Sequence, residues 1–348
     1  MKFKSHIKKI KRNNYINFSR LKFTRLDKNE KIDNFSKNLV NILKNQISSN
    51  LLASYPEVSD LMNLISKNLK MNPKNFLLTA GIDGALKIII EGFTREKDKV
   101  VILEPTFAMT KIYCEIANLN ILKVDYDKNL KLNIDKLIHY INQKPKLVIL
   151  SNPNSPTGTV IDDKYVSKIM KITKNKNIPL IIDEAYYEFY GKSLINNLRS
   201  NKNLFILRTF SKALGIAGAR VGYIVSSKKN ISYLSKFKPM YEVNSIGIVI
   251  AKLIIKNKNI VNEYVKKTLL AKKKILNYLR QNRIDFKKTE TNFILIDKKK
   301  IKKNIFNICK KNNILISDKI FFKKYLRITV GPINQMKTFL NIFKRNIN

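Results

Sequence analysis

Cysteine and histidine are almost missing from this 348-residue chain, which has only Cys114, Cys309, His6 and His139. Two thiols cannot make a disulfide framework. So few thiol and imidazole groups also argue against a His/Cys metal centre, and for a reducing, cytoplasmic setting. No run of about 18 apolar residues is free of charge, so no membrane-spanning helix is expected. Residues Met1 to Leu26 hold no acid and many Lys and Arg, a weak likeness to a transit segment, yet they lack the apolar stretch of a secretory signal. Internal repeats and Gly/Ser linkers are absent as well, so the parts of the chain are expected to pack tightly.

Acid is scarce: 25 Asp and Glu stand against 68 Lys and Arg, a formal net charge of +43. Arrays of Lys and Arg attract polyanions through counterion release, which raises the question of a nucleic-acid partner. Here Lys, Ile and Asn are spread over nearly every segment, as drift across an AT-rich genome would spread them, whereas a dedicated site would be local. A solvated lysine-rich surface is the expectation, without a nucleic-acid partner.

The mass of 40.5 kDa and 44% apolar residues allow a full-sized core, at roughly 100–200 residues per domain. Short apolar runs alternate with longer amphipathic ones, which predicts strands at Phe76–Thr79, Val100–Leu103, Ile121–Val124, Leu147–Leu150, Leu180–Ile182, Leu204–Leu207 and Val221–Ile224. Helical patterns lie between them at Gly84–Phe93, Lys111–Asn118 and Asp163–Thr173. The fold class is therefore α/β, a mostly parallel doubly wound sheet whose ligands gather at the strands' carboxyl ends. After Lys229 a long helical stretch is expected to about Tyr278. It leads to a small α+β section with strands at Asn292–Ile296 and Tyr325–Val330 and helices at Lys299–Asn312 and Ile333–Arg345. The resulting division is an N-terminal arm (1–30), a large domain (31–235), and a connecting helix with a small C-terminal domain (236–348).

Chemistry collects at the predicted strand ends. Asp183 opens DEAYYEF directly after a buried strand, where a carboxylate needs a cationic partner. Lys212 lies in RTFSKALGIAGARVGY, among Ser211, Gly215 and Gly218 and eight residues before Arg220. An amine so placed can bond covalently to an aldehyde cofactor, while a hydroxyl and a guanidinium neutralise its phosphate. In TAGIDGAL the amides of Ile82 and Asp83 can cradle an anion at a helix N-terminus. Alone, each has an ordinary reading: a helix start for Ser211–Lys212, a helix cap for Asp183, a turn for SNPNSPTG, a core aromatic for Phe107. Their order, each at the end of a strand of one sheet, points to a pyridoxal 5′-phosphate site, whose carboxylate keeps the pyridinium nitrogen protonated.

With these residues in place, the chain resembles the class I/II, fold-type I pyridoxal-phosphate aminotransferases, and within them the histidinol-phosphate aminotransferase branch. The likeness runs from LDKNEK (Leu26–Lys31) through SYPE (Ser54–Glu57), AGIDGAL, EPTFAM, SNPNSPTG, DEAYYEF and RTFSKALGIAGARVGY to TNFIL (Thr291–Leu295) and LRITVG (Leu326–Gly331). It implies that Lys212 bonds the cofactor and shuttles the substrate's Cα proton, that Asp183 pairs with the ring nitrogen, and that Tyr186 donates to the phenolic oxygen. It further implies that Thr209, Ser211, Arg220 and the Ile82–Asp83 amides hold the phosphate. Phe107 would stack on the ring where the family usually has Tyr, and Tyr55 would reach the phosphate of a neighbouring subunit in a homodimer. Arg327, with Asn292 of TNFIL, would bind substrate.

The departures from the family pattern are specific. The family's Asn before Pro-Thr-Gly, which bonds the phenolic oxygen, is Ser155 here, with Asn154 a nearby candidate to replace it. The branch's second arginine has no counterpart in ILISDKIFFKKYLRI, where Ser317 takes its place, leaving a substrate phosphate to Arg327 and to Lys319, Lys323 or Lys324. KPMYEVNS (Lys238–Ser245) replaces the usual substrate loop and introduces Glu242. The resemblance thus implies amino transfer between glutamate or a similar donor and a small, phosphorylated carbonyl acceptor, with no metal. Two readings stay open beside it: a pyridoxal-phosphate decarboxylase of a phospho-amino acid, which uses the same lysine and carboxylate, and a basic nucleic-acid-binding protein on the same fold, against which intact Lys212 and Asp183 argue.

Overall fold

The computed structural model describes residues 4–10, 18–317 and 324–347. Its strands are β1 (Thr24–Leu26), β2 (Phe76–Thr79), β3 (Lys99–Glu104), β4 (Asn120–Asp125), β5 (Leu147–Ser151), β6 (Leu180–Asp183), β7 (Leu204–Thr209), β8 (Gly222–Val225), β9 (Phe286–Lys287), β10 (Phe293–Asp297), β11 (Ile314–Ile316) and β12 (Tyr325–Thr329). Strands β2 to β8 form one seven-stranded sheet in the order β2-β8-β7-β6-β5-β3-β4.

The sheet is buried on both faces, which is why its strands read as unbroken apolar runs. Successive residues feed opposite cores. Val101, Leu103, Val148, Leu150, Leu180, Ile182, Leu204 and Ile206 pack on one side. Val100, Ile102, Leu147, Ile149, Ile181, Phe205 and Leu207 pack on the other. Strands β3 to β7 are mutually parallel, and β8 runs antiparallel to both β7 and β2. The link from β7 to β8 carries only a 3₁₀ turn at Ala217–Ala219 and no crossover helix, so the chain doubles back. One edge of the sheet therefore collects the carboxyl ends of β2, β3, β4, β5, β6 and β7 together with the start of β8.

Two helical expectations need correction. The stretch from Lys229 to Tyr278 is three helices, Lys228–Leu234, Ser245–Lys256 and Lys258–Gln281. Pro239 lies in the first break, Asn244 caps the next helix by accepting from Gly247 N at 2.6 Å, and Asn257 has non-helical backbone at the second break. The helix expected over Lys299–Asn312 is confined to Ile305–Lys311. Asp297 caps a 3₁₀ turn at Lys298–Lys300, and Ile301 pairs with Ile347 instead.

The C-terminal section has its own core around Ile275, Leu279, Ile294, Ile296, Leu326, Ile328, Phe339 and Phe343, under the antiparallel sheet β12-β10-β9. Leu26 of the arm is fully buried in that core, because β1 pairs in parallel with β11, Thr24 to Ile314 and Leu26 to Ile316. Among the described residues no helix is long and apolar enough to cross a membrane.

Candidate active site

Every strand-end residue singled out in the sequence lies on the one edge just described. At the end of β2, Gly81 (φ +71°) turns the chain into the Gly81–Phe93 helix, whose first amides, including those of Ile82 and Asp83, face away from any carbonyl of that helix. A Cβ on Gly222 would stand 2.7 Å from the Gly81 backbone, so glycine there lets β8 and this helix start lie together. Arg220, just before β8, reaches the same corner. Its Nη2 donates to Asp83 Oδ2 at 3.0 Å, and its Nη1 to Ser211 Oγ at 3.4 Å and to Ala217 O at 3.3 Å. Arg220 holds φ +55°, a conformation uncommon outside glycine, and those three hydrogen bonds set its guanidinium direction. Thr209 Oγ1 accepts from Ser211 N at 3.1 Å and shapes the turn that presents Ser211. A helix N-terminus, a hydroxyl and a guanidinium converge, which is the donor set a phosphate requires.

Asp183 ends β6 and is 5% exposed. Its Oδ1 accepts from Ala185 N at 2.9 Å and its Oδ2 lies 3.4 Å from Ser151 Oγ. No side chain serves as the cationic partner that a carboxylate here needs: among the described residues Asp183 is in no ion pair. Burial pushes its carboxyl up to about 6, against those two hydrogen bonds and the more distant charge of Lys212. A buried carboxylate with room for a cationic donor fits a protonated ring nitrogen. The residues present therefore suit pyridoxal 5′-phosphate on both counts, a phosphate cup at β2, β7 and β8 and an unpaired carboxylate at β6.

The next residue behaves in the opposite way. Glu184 Oε2 accepts from Arg208 Nε at 3.1 Å and Nη2 at 2.9 Å, with both residues buried, and the Arg208 guanidinium lies 3.3 Å from the centre of the Tyr187 ring. Beside them burial pushes Glu188 up to about 8. This cluster ties β6 to β7 directly behind Asp183. Strand register could have revealed it, since Asp183 pairs with Leu207 and so sets Glu184 beside Arg208.

Lys212 Nζ donates to the backbone oxygen of Lys28 at 3.1 Å and stands 5.7 Å from the centre of the Tyr186 ring. Tyr186 is buried, edge-on to Phe293 at 5.9 Å, and its hydroxyl accepts from Asn29 Nδ2 at 2.9 Å. Arg327 Nη2 donates to Asp27 O at 2.7 Å, and its buried Nε has no partner in the protein. Burial lowers the Arg327 pKa below the usual guanidinium value. Three consecutive arm residues, Asp27, Lys28 and Asn29, thus each hold one working side chain, a function the LDKNEK match did not disclose.

The remaining candidates fall as follows. Asn292 is fully buried and spends its amide on Asn29 O at 3.1 Å, so it holds the arm. Phe107 precedes the Ala108–Ile116 helix at the end of β3 and packs against the core of that face. Asn154 is fully buried, with Nδ2 donating to Pro105 O and Thr157 Oγ1, both at 2.9 Å, and Oδ1 accepting from Thr106 at 3.1 Å. Its amide braces the loop and is not available in place of the missing Asn. Ser155 is half-buried and forms no side-chain hydrogen bond among the described residues. Tyr55 is 74% exposed and stacks on Tyr241 at 4.1 Å. Glu242 reaches the start of the Gly81–Phe93 helix, accepts from the Ala80 amide, and is raised by burial. Ser317 is bridged to Arg327 across the strands. Lys324 pairs with Asp297 at 3.0 Å, whereas Lys319 and Lys323 lie outside the described residues.

A groove of about 1300 Å³ lies at the opposite edge of the sheet. Lys70, Lys144 and Lys176 on its rim follow helix C-termini, where cations offset the negative helix ends. Its size does not locate the chemistry, which requires the carboxylate, amine and phosphate cup of the other edge.

Residues 43–343 match the model of the family described as aminotransferase class I and II. The histidinol-phosphate aminotransferase of Clostridium novyi is 33% identical over 327 residues, spanning 92% of this chain and 90% of that protein. The structure of histidinol-phosphate aminotransferase from Sinorhizobium meliloti in complex with pyridoxal-5′-phosphate superposes with a TM-score of 0.82 at 21% identity, covering 92% of this chain and 91% of that one. L-threonine-O-3-phosphate decarboxylase from Porphyromonas gingivalis superposes with a TM-score of 0.75 at 21% identity, covering 92% and 98%. The fold is thus common to proteins named for amino transfer and for decarboxylation.

Proposed function

The chain belongs to the class I and II aminotransferases, and from that membership we propose that it transfers an amino group between glutamate or a similar donor and a small phosphorylated carbonyl compound, as an enzyme of the histidinol-phosphate aminotransferase type. Pyridoxal 5′-phosphate, when bound, supplies a ring that withdraws electrons from the substrate's Cα.

The chain's own residues do the rest. Ile82 and Asp83 amides, Ser211 and Arg220 bind the phosphate, with Thr209 fixing the turn that carries Ser211. Asp183 holds a proton on the ring nitrogen, because releasing it would leave the carboxylate buried and unpaired. Phe107 would cover the ring face, and Tyr186 would donate to the phenolic oxygen. Lys212 Nζ would leave Lys28 O, take the Cα proton and return it to the cofactor carbon on the far side of the substrate nitrogen. Proton transfer by a positioned base of this kind contributes roughly 10²–10⁴-fold. Arg327 turns its fork, including the unpartnered Nε, to a carboxylate or phosphate of the substrate. A homodimer is part of the proposal. Tyr55 and Tyr241 are exposed and stack on each other, with Leu52 and Met240 also exposed, and from this position Tyr55 would reach the neighbouring subunit's site.

The observation that carries this reading is Asp183, buried within electrostatic reach of the Lys212 amine but in no ion pair among the described residues. The test is an acceptor panel with glutamate as donor and imidazole acetol phosphate, dihydroxyacetone phosphate, phosphonopyruvate and aromatic 2-oxo acids as acceptors. Formation of 2-oxoglutarate only with a phosphorylated acceptor supports the proposal. Carbon dioxide release from a phospho-amino acid with no acceptor present overturns it in favour of decarboxylation.

A further inference from the structure

Asn29 is 2% exposed and sits with φ +57°, a backbone that asparagine tolerates better than most residues. All of its polar groups are engaged. Its N–H donates to Thr329 Oγ1 at 3.0 Å, its carbonyl accepts from Asn292 at 3.1 Å, its Oδ1 accepts from Thr329 Oγ1 at 3.2 Å, and its Nδ2 donates to Tyr186 OH at 2.9 Å. The amide is placed with its oxygen to Thr329 Oγ1 and its NH₂ to Tyr186 OH.

A phenol has one proton and two lone pairs. With a lone pair taken up by Asn29, the Tyr186 proton is directed away from it and stays available to another acceptor. A donor to a hydroxyl oxygen also strengthens the donation that hydroxyl makes in turn. Ser155 supplies no amide where the family has one, and Asn154 is committed to the loop. The phenolic oxygen of the cofactor therefore depends on Tyr186 more than it would with an asparagine at 155.

We propose that Asn29 is a positioning residue for the reaction, which fixes Tyr186 as a hydrogen-bond donor to the cofactor's phenolic oxygen and so compensates for the serine at 155. The inference rests on the pyridoxal-phosphate reading of the site. Other groups facing Tyr186 are Lys212 Nζ, 5.7 Å from its ring, Arg327, whose charge it feels, and the edge of Phe293. None of them is hydrogen-bonded to the Asn29 side chain, whose partners are Tyr186 and Thr329.

The experiment is a pH titration of the visible absorbance of the cofactor-loaded enzyme for wild type, Asn29→Ala, Asn29→Asp, Tyr186→Phe and the double variant Asn29→Ala/Tyr186→Phe. Asn29→Ala is expected to raise the midpoint by about half a unit to one unit, the scale of one hydrogen bond. Asn29→Asp keeps the shape, accepts the tyrosine proton where Asn29 donated, and is expected to raise it further. It also serves if the alanine variant does not fold. In the Tyr186→Phe background the alanine change is expected to add nothing, because its whole effect passes through the phenol. An unchanged midpoint in the folded single variants, or an equal shift with Phe at 186, overturns the proposal. A wild-type protein with no visible band in the presence of cofactor overturns the site reading itself, a result distinct from either.

Discussion

Lys212 Nζ donates to the backbone oxygen of Lys28 at 3.1 Å, so the amine at the centre of the site is held by the amino-terminal arm. Among the described residues it is in no ion pair. An amine held by one carbonyl is released more easily than one held by a carboxylate, since a neutral acceptor gives about half the strength of a charged one.

Lys212→Ala is expected to remove the visible absorbance at roughly 410–430 nm and all turnover while leaving the fold intact. Spectra with added cofactor, together with circular dichroism, decide it. Turnover at the wild-type rate would assign the lysine's role elsewhere.

Asp183→Asn separates stability from function. The folded-state pKa of Asp183 lies at about 6, above the ordinary carboxylate value, so the folded chain holds this proton more tightly than the unfolded one. The resulting penalty is absent below about pH 4, grows as pH rises to about 6, and is constant above that, at most about 3 kcal/mol. The neutral variant escapes it. Urea unfolding of the cofactor-free proteins should show the variant more stable at pH 7.5 and equal to wild type near pH 4, while turnover of the loaded enzyme falls by roughly 10²-fold or more.

Arg327→Lys should raise the Michaelis constant for the amino donor by about tenfold, because an ammonium cannot reproduce the two-pronged contact of a guanidinium. Cofactor affinity should stay within about twofold. Equal changes in both would remove Arg327 from substrate binding.

Arg208→Met leaves Glu184 buried without its partner, which costs about 3–5 kcal/mol in comparable pairs. Adding Glu184→Gln should restore most of the loss in denaturant unfolding. A single variant as stable as wild type would mean that the pair contributes nothing.

Tyr55→Ala and Lys212→Ala, each inactive alone, should complement when co-expressed if Tyr55 serves the neighbouring site. Random pairing makes half the dimers hybrid, each with one intact site, for about a quarter of wild-type activity. No recovery would place the action of Tyr55 within its own subunit.

The large sheet was legible because strands buried on both faces are written as apolar runs ended by a polar residue, as at LIID and LFILRT. Lys212, Asp183 and Arg220 stood out for the same reason. The helix breaks at Pro239 and Asn257 were hidden by apolar and lysine-rich segments that keep a helical pattern across them. β1 and β11, three residues each, fall below what periodicity resolves. The direction of Asn154 depends on Pro105 and Thr106, which neighbour it only in the fold. The arm's role was hidden most completely, because Asp27 and Lys28 act through main-chain oxygens and any residue carries one.

That last feature sets what variation the arm tolerates. Exchanging the side chain at 28 leaves its carbonyl in place, whereas removing one residue between 27 and 29 moves Arg327, Lys212 and Tyr186 off their anchors at once. Gene variants with an altered letter at 28 should pass selection, and variants with a shortened or lengthened segment should not.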